Sequence, residues 1–191
     1  MRKVVLGSVL LLAMSSIQAA EAPRWDSAGL SYQRLNLDGD KFTGFGFSGS
    51  KLLGTNVFLN GSVTNVSGEI NSSDWDYKTK SVGLGYRTAL SEKTEFYGVV
   101  SYEDVELAGS FGWFSQSASD NGVGLAVGVR SMKTDKLELN GGFKYIDIAD
   151  ESDTALSVGA LYNFTKQFSA GVGLVKSDDT NTVSVSAVYY F

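Results

Sequence analysis

Along this chain apolar and polar residues alternate with period two in one segment after another, the pattern of strands that face two different environments. The last segment shows it most plainly: Val183, Val185, Ala187, Tyr189 and Phe191 take one parity, and Thr182, Ser184 and Ser186 take the other. A strand that ends on an aromatic residue of its apolar set needs a partner on each edge, because unpaired backbone groups invite aggregation. Ten alternating segments are expected, at 27–37, 41–52, 56–68, 76–89, 94–106, 121–132, 136–147, 154–164, 167–177 and 180–191. Their spacing is regular and no linker interrupts it, so a single domain follows. Eight strands remain open if 27–37 and 41–52 are irregular.

One parity carries large apolar residues such as Leu30, Tyr32, Phe45, Phe47, Val82, Leu84, Tyr86, Val123, Leu125, Leu156, Val158, Val172 and Leu174. The other is rich in Gly, Ser and Asn: Gly44, Gly46, Asn60, Ser62, Gly83, Gly85, Gly122, Gly124, Gly171 and Gly173. That second face is expected to be too small and polar to pack as a dry core. A soluble sandwich would place Lys and Glu outside, whereas here the wide apolar face fits lipid outside and a polar interior. Ten to twelve residues at about 3.3 Å each, tilted about 40°, give roughly 25–30 Å of height, the thickness of a bilayer core.

The two ends sharpen this picture. Arg2 and Lys3 precede an apolar run from Val4 to Met14 and the small residues around Ala19 and Ala20, which predicts a secretory signal peptide over 1–19 and a mature domain over 20–191. No later stretch has the roughly 18 apolar residues of a membrane-crossing helix, so any crossing must be made by strands. There are no cysteines, 22 glycines and one proline. The formal net charge of −5 argues against nucleic acid as a partner. The chain also has no histidine, the side chain that best exchanges a proton near neutral pH. Carboxylate pairs such as Asp38 with Asp40, or Asp74 with Asp76, are weak signals for catalysis, and no enzyme, metal or cofactor is expected.

An even strand count puts both ends of the domain on one side, and the signal peptide and the terminal strand make that side periplasmic. Short turns there, near 53–55, 91–93, 134–135 and 165–166, carry mostly lysines, while the opposite connections are acidic and include the longest expected loop, Glu106 to Asp120. Three groups of residues stand out as candidate sites. By parity Arg87, Glu95, Arg130 and Glu138 face inward near the turn end of four consecutive strands, where Arg87 with Glu95 and Arg130 with Glu138 can pair across the wall. They would form either a constriction or a set of salt bridges that closes the lumen. Arg34, Lys78, Lys80 and Lys176 fall on the lipid-facing parity at the outer strand ends, placed to meet the phosphates of lipopolysaccharide, although Asp104 and Glu106 lie beside Lys78 and Lys80. Phe111, Trp113 and Phe114 in the expected outer loop offer aromatics for a partner or for a lid.

The repeated pieces Ser81-Val82-Gly83-Leu84-Gly85-Tyr86, Asn121-Gly122-Val123-Gly124-Leu125 and Ser169-Ala170-Gly171-Val172-Gly173-Leu174, with the aromatic terminus, resemble the small Gram-negative outer-membrane barrels grouped with the OmpA transmembrane domain, OmpX, Ail and the opacity proteins. The resemblance implies an antiparallel up-and-down transmembrane β-barrel in the outer membrane, in contact with lipopolysaccharide, inserted by the barrel-assembly machinery and monomeric. It implies a structural envelope role with limited, porin-like passage of ions or small polar solutes, or alternatively a surface adhesin acting through its outer loops. Many relatives have eight strands, so a count of ten departs from them, and the resemblance assigns no site residue.

Overall fold

The computed structural model describes residues 22–191 apart from 38, 71–72, 112–113, 150 and 179, and the side chains of 110–115 also lie outside it. The expected signal peptide over 1–19 and Trp113 therefore fall outside the described residues. The strands are β1 (Ser27–Leu37), β2 (Asp40–Leu52), β3 (Val57–Ile70), β4 (Ser73–Ser91), β5 (Thr94–Phe111), β6 (Phe114–Met132), β7 (Leu137–Ile148), β8 (Glu151–Asn163), β9 (Phe168–Lys176) and β10 (Thr180–Tyr190). Each pairs antiparallel with its neighbours in sequence, and β1 pairs with β10 from Ser27↔Tyr190 to Leu37↔Thr180, which closes a ten-stranded barrel. Both β1 and β2 are paired along their whole length, so the eight-stranded alternative falls. Closure gives the final strand the partner on each edge that its pattern demanded.

The expected long loop from Glu106 to Asp120 is instead a hairpin, because β5 runs on to Phe111 and β6 begins at Phe114. The reason is visible in the phase of the alternation. Along β3 the outward residues change from Val57, Leu59 and Val63 to Asn65, Ser67 and Glu69, while the inward ones become Val66 and Ile70. In β4 and β5 the same inversion sets Asp76, Lys78, Asp104 and Glu106 outside against Tyr77 and Val105 inside. Past the lipid the barrel wall meets water on its outer face, so a strand there is polar outside and apolar inside, the reverse of its membrane portion.

The lipid-facing band stays exposed, as in Leu30, Phe45, Phe47, Val100 and Val172. The interior has three layers. At the outer end Leu35, Phe42, Val66, Tyr77, Val105, Ile146 and Ile148 form a buried apolar cluster with Trp75 and Leu107 packed against it. Midway lie buried hydroxyls and amides, including Ser31, Gln33, Ser48 and Thr64, with the ion pair Lys144–Glu103 at 2.7 Å. At the end where residues 22–26 and Phe191 lie, Trp25, Phe58 and Tyr97 pack together beside a second apolar group of Leu161, Val188 and Tyr190.

The expectation that the Gly- and Ser-rich face cannot pack is thus corrected at both ends of the lumen. Its glycines are the floor on which large side chains lie: a Cβ on Gly85 would overlap the Phe58 ring, and one on Gly128 would overlap Tyr97. Gly85→Ala is expected to destabilise the barrel by about 1–3 kcal/mol through overpacking. Gly61→Ala on the lipid face, where the nearest atom to a new Cβ is 3.4 Å away, should leave the urea unfolding midpoint in vesicles almost unchanged.

Candidate gate in the barrel lumen

Arg87 on β4, Glu95 on β5, Arg130 on β6 and Glu138 on β7 all point into the lumen just above the short turns. In a strand pair, residues directly opposite or one diagonal step away are within reach of long side chains. Both expected pairs form on that diagonal. Arg87 Nη1 donates to Glu95 Oε1 at 2.6 Å, and Arg130 binds Glu138 with two bonds, Nε to Oε1 at 2.8 Å and Nη2 to Oε2 at 3.1 Å. The second pair is the drier one, with its side chains 4% and 0% exposed, against 18% and 7% for the first. A bidentate pair in a dry layer holds its geometry tightly, since each partner alone would be a buried uncompensated charge.

The sequence reading missed the group that joins the two pairs. Residues 22–26, ahead of β1, enter this end of the barrel and bury Pro23 and Trp25. The Trp25 ring packs 4.2 Å from Phe58 and 5.5 Å from Tyr97, centre to centre. Its indole N–H donates to Glu95 Oε2 at 2.6 Å. The Arg130 guanidinium sits 4.6 Å from the ring centre, a cation–π contact, while its Nη1 donates to the Arg24 carbonyl at 2.9 Å. The four expected residues and Trp25 therefore form one connected layer across the lumen. Trp25 stands outside any alternating run, so period-two patterning carries no signal for it.

Glu103 and Lys144 were also passed over, although both have the inward parity of their strands. Glu103 accepts from Ser81 Oγ at 2.9 Å and Ser101 Oγ at 2.5 Å as well as from Lys144, so this pair belongs to the middle layer and lies apart from the candidate gate.

The N-terminal arm is fastened at the rim. Arg24 Nη1 donates to the Lys166 carbonyl at 3.0 Å, and the Asp26 carboxylate accepts from the Leu52 amide at 2.7 Å and from Lys51 Nζ at 2.9 Å. Burial alone would raise the Asp26 carboxyl, but the Leu52 amide, Lys51 and the Arg87 charge outweigh it and hold the group below its ordinary 3.8. A carboxyl lowered by folding adds stability that is full above about pH 4 and is lost as pH falls through the lower folded value. In a chain with Trp75→Phe and Trp113→Phe, Trp25 emission is expected to shift red on acidification below about pH 4. Asp26→Asn should flatten that transition.

The other two groups divide. Lys80 pairs with Asp104 at 2.7 Å and Lys78 with Glu106 at 3.7 Å, so those two lysines are engaged on the outer wall. Arg34 and Lys176 are exposed on the lipid-facing parity, and among the described residues no ion pair joins them. Phe111 and Phe114 are opposite one another at the tip of the β5–β6 hairpin, and their side chains, like Trp113, lie outside what is described.

A closed antiparallel barrel with an apolar outer band, no helix that crosses a membrane among the described residues, and a polar, charge-latched interior defines a transmembrane β-barrel protein. Residues 5–191 match the outer membrane protein beta-barrel domain, and the chain belongs to that family. It is an integral protein of the Gram-negative outer membrane. A comparison with curated protein sequences finds no match. Among solved structures, the translocator domain of the autotransporter NalP from Neisseria meningitidis is similar at 12% identity and TM-score 0.51, over 86% of this chain and 87% of that one. The NanC porin is similar at 9% identity and TM-score 0.51, over 85% and 99%. Ail, the attachment invasion locus protein of Yersinia pestis, aligns at 16% identity and TM-score 0.44, over 87% and 95%. At these identities the likeness is one of fold.

Proposed function

We propose that the protein is a non-enzymatic, monomeric structural barrel of the outer membrane that passes ions or small polar solutes only when a normally shut lumen opens. Arg87, Glu95, Arg130 and Glu138 act as its inner gate. The observation that carries this reading is the pair of salt bridges joined across the lumen through Trp25, with Arg130 and Glu138 almost fully buried. The absence of histidine supports a role without catalysis. A closed sheet leaves no edge within the lipid, which supports a monomer. Arg34 and Lys176, exposed at the outer strand ends, are the cations available to lipopolysaccharide phosphates, while Lys78 and Lys80 are held by Glu106 and Asp104. Single-channel recording of the refolded protein in a planar bilayer tests the gate. Sparse, brief steps are expected, with an ion preference that shifts in Arg87→Glu. Silence from every gate variant, in protein that still shows heat-modifiable migration on a gel, would refute passage.

The surface-interaction reading has its own support. In β6, pairing with β7 begins only at Gly122, so residues 116–121 have β5 on one side and, among the described residues, no strand on the other. These residues, Gln-Ser-Ala-Ser-Asp-Asn, are exposed and include no proline or lysine to blunt the edge. An extended segment of a partner would pair there, close in sequence to Phe111, Trp113 and Phe114. Replacing those three aromatics with serine should abolish attachment to cells or ligand under this reading and leave conductance unchanged.

A further inference from the structure

The middle layer of the lumen holds more polar groups than its own contacts satisfy. On β1, β2 and β3 the Gln33 Oε1, Ser48 Oγ, Ser50 Oγ and Asn60 Oδ1 atoms are buried and make no hydrogen bond within the protein, and Thr182 Oγ1 on β10 is in the same state. Registers place them side by side: Ser50 is opposite both Ser27 and Asn60, and Ser48 is opposite both Gly29 and Ser62. Gln33 spends its amide N–H on Ser31 Oγ at 3.0 Å, which leaves its carbonyl facing inward without a donor. A buried polar atom left dry loses its solvation without compensation, and five on adjoining strands would be a heavy penalty unless water meets them. The Glu103–Lys144 pair adds two more groups whose remaining bonding capacity suits water.

This polar layer lies between two dry ones. Outward it meets the cluster of Leu35, Phe42, Val66, Tyr77, Val105, Ile146 and Ile148, carried on the barrel strands themselves. Toward the termini it meets Trp25, and the closure here is of another kind. Trp25 is on no strand; it comes from a short arm held by one indole hydrogen bond, the cation–π contacts of Arg87 and Arg130, the Arg130 bond to the Arg24 carbonyl and the rim bonds of Arg24 and Asp26. The walls that grip it, Phe58, Tyr97, Glu95 and Arg130, are on strands. An apolar cluster built into the wall opens only by unpacking the barrel, whereas the arm can swing out as a unit.

We infer that residues 22–26 are a detachable plug with Trp25 as its stopper, and that it closes a hydrated chamber lined by Gln33, Ser48, Ser50 and Asn60. The chamber opens toward the periplasm and takes water and small polar solutes. Release of the arm admits solute from that side alone, so the chamber is a vestibule and becomes a passage only if the outer cluster opens as well. This inference rests on the gate reading above only for the position of the layer, and its test is independent of current.

The chain has no cysteine, so Ser48→Cys places a single thiol in the chamber. The rate of its modification by a small neutral methanethiosulfonate reagent is measured on folded protein in vesicles, with heat-modifiable migration as the check on folding. With the arm intact labelling should be slow, and Trp25→Ala should speed it by tenfold or more. Trp25→Phe, which keeps a ring against Phe58 and loses the bond to Glu95, should fall between the two. Equal rates in the three proteins would overturn the plug. So would acceleration by Phe42→Ala as large as that by Trp25→Ala, because the chamber would then open outward. If the gate variants shift conductance while Trp25 variants leave labelling unchanged, the gate stands without the plug. If labelling responds to Trp25 and no variant ever conducts, the plug stands and passage fails.

Discussion

Glu138→Ala should destabilise the barrel by about 3–5 kcal/mol, because it leaves Arg130 as a buried charge without its counter-ion. Arg130 is 3% exposed, and three of its contacts converge on one place: Glu138, the Arg24 carbonyl and the face of Trp25. Loss of the carboxylate removes the two bonds that aim the guanidinium, so the arm should loosen along with the wall. Urea unfolding in lipid vesicles gives the energy, and Trp25 emission in the chain that keeps only that tryptophan reports the arm. The double variant Arg130→Met, Glu138→Leu removes both charges at similar volume and is expected to recover most of the loss. By contrast, Lys80→Ala on the outer wall should change little, since that side chain is 55% exposed and its pair with Asp104 is screened by water. A Glu138→Ala barrel as stable as the parent would mean that water reaches Arg130 and that the inner layer is not dry.

The membrane portion of the fold was legible because lipid imposes a strict alternation. Residues such as Leu30, Phe45, Val82 and Val172 can be apolar on one parity for only one reason, and their segments coincide with β1, β2, β4 and β9 to within a few residues. Beyond the lipid that constraint is gone. The stretches 107–111 and 114–120, where Leu107 and the aromatics Phe111 and Phe114 are set among small and polar residues without a clean apolar parity, read as parts of a loop yet extend β5 and β6, since strand pairing needs no apolar face when a neighbour supplies the hydrogen bonds. The inner ion pairs were legible for a geometric reason, as parity and closeness to the turns place Arg87, Glu95, Arg130 and Glu138 on one ring. Two features of the lumen stayed hidden. Leu35, Phe42, Tyr77 and Val105 take the parity of the polar face, and only the inversion of phase along each strand marks them as a cap. Trp25 precedes the first alternating segment, and its place in the lumen follows from a cradle assembled by β3, β5 and β6, which are far from it in sequence.

The two seals act in series, and that arrangement sets the largest change expected in conductance. Removing Trp25 opens the chamber toward the periplasm, but Phe42, 2% exposed within the outer cluster, still blocks the other end. Phe42→Ala alone removes a large side chain from that cluster at a cost of about 3–5 kcal/mol, with the inner layer still shut. Each single variant should therefore keep the sparse, brief openings of the parent in a planar bilayer. The double variant Trp25→Ala, Phe42→Ala should conduct in long, discrete steps, an effect far beyond the sum of the two. Its current should carry the signature of the middle layer, where Glu103 and Lys144 face the same lumen as the hydroxyls of β1 and β2. Lys144→Met in that background leaves the Glu103 carboxylate without its partner and should move selectivity toward cations. A full open state from Trp25→Ala alone would show that the outer apolar cluster is no barrier. A double variant that stays closed while folded would show that the polar middle layer itself collapses when its neighbours are removed, which would place the true constriction at Glu103 and Lys144.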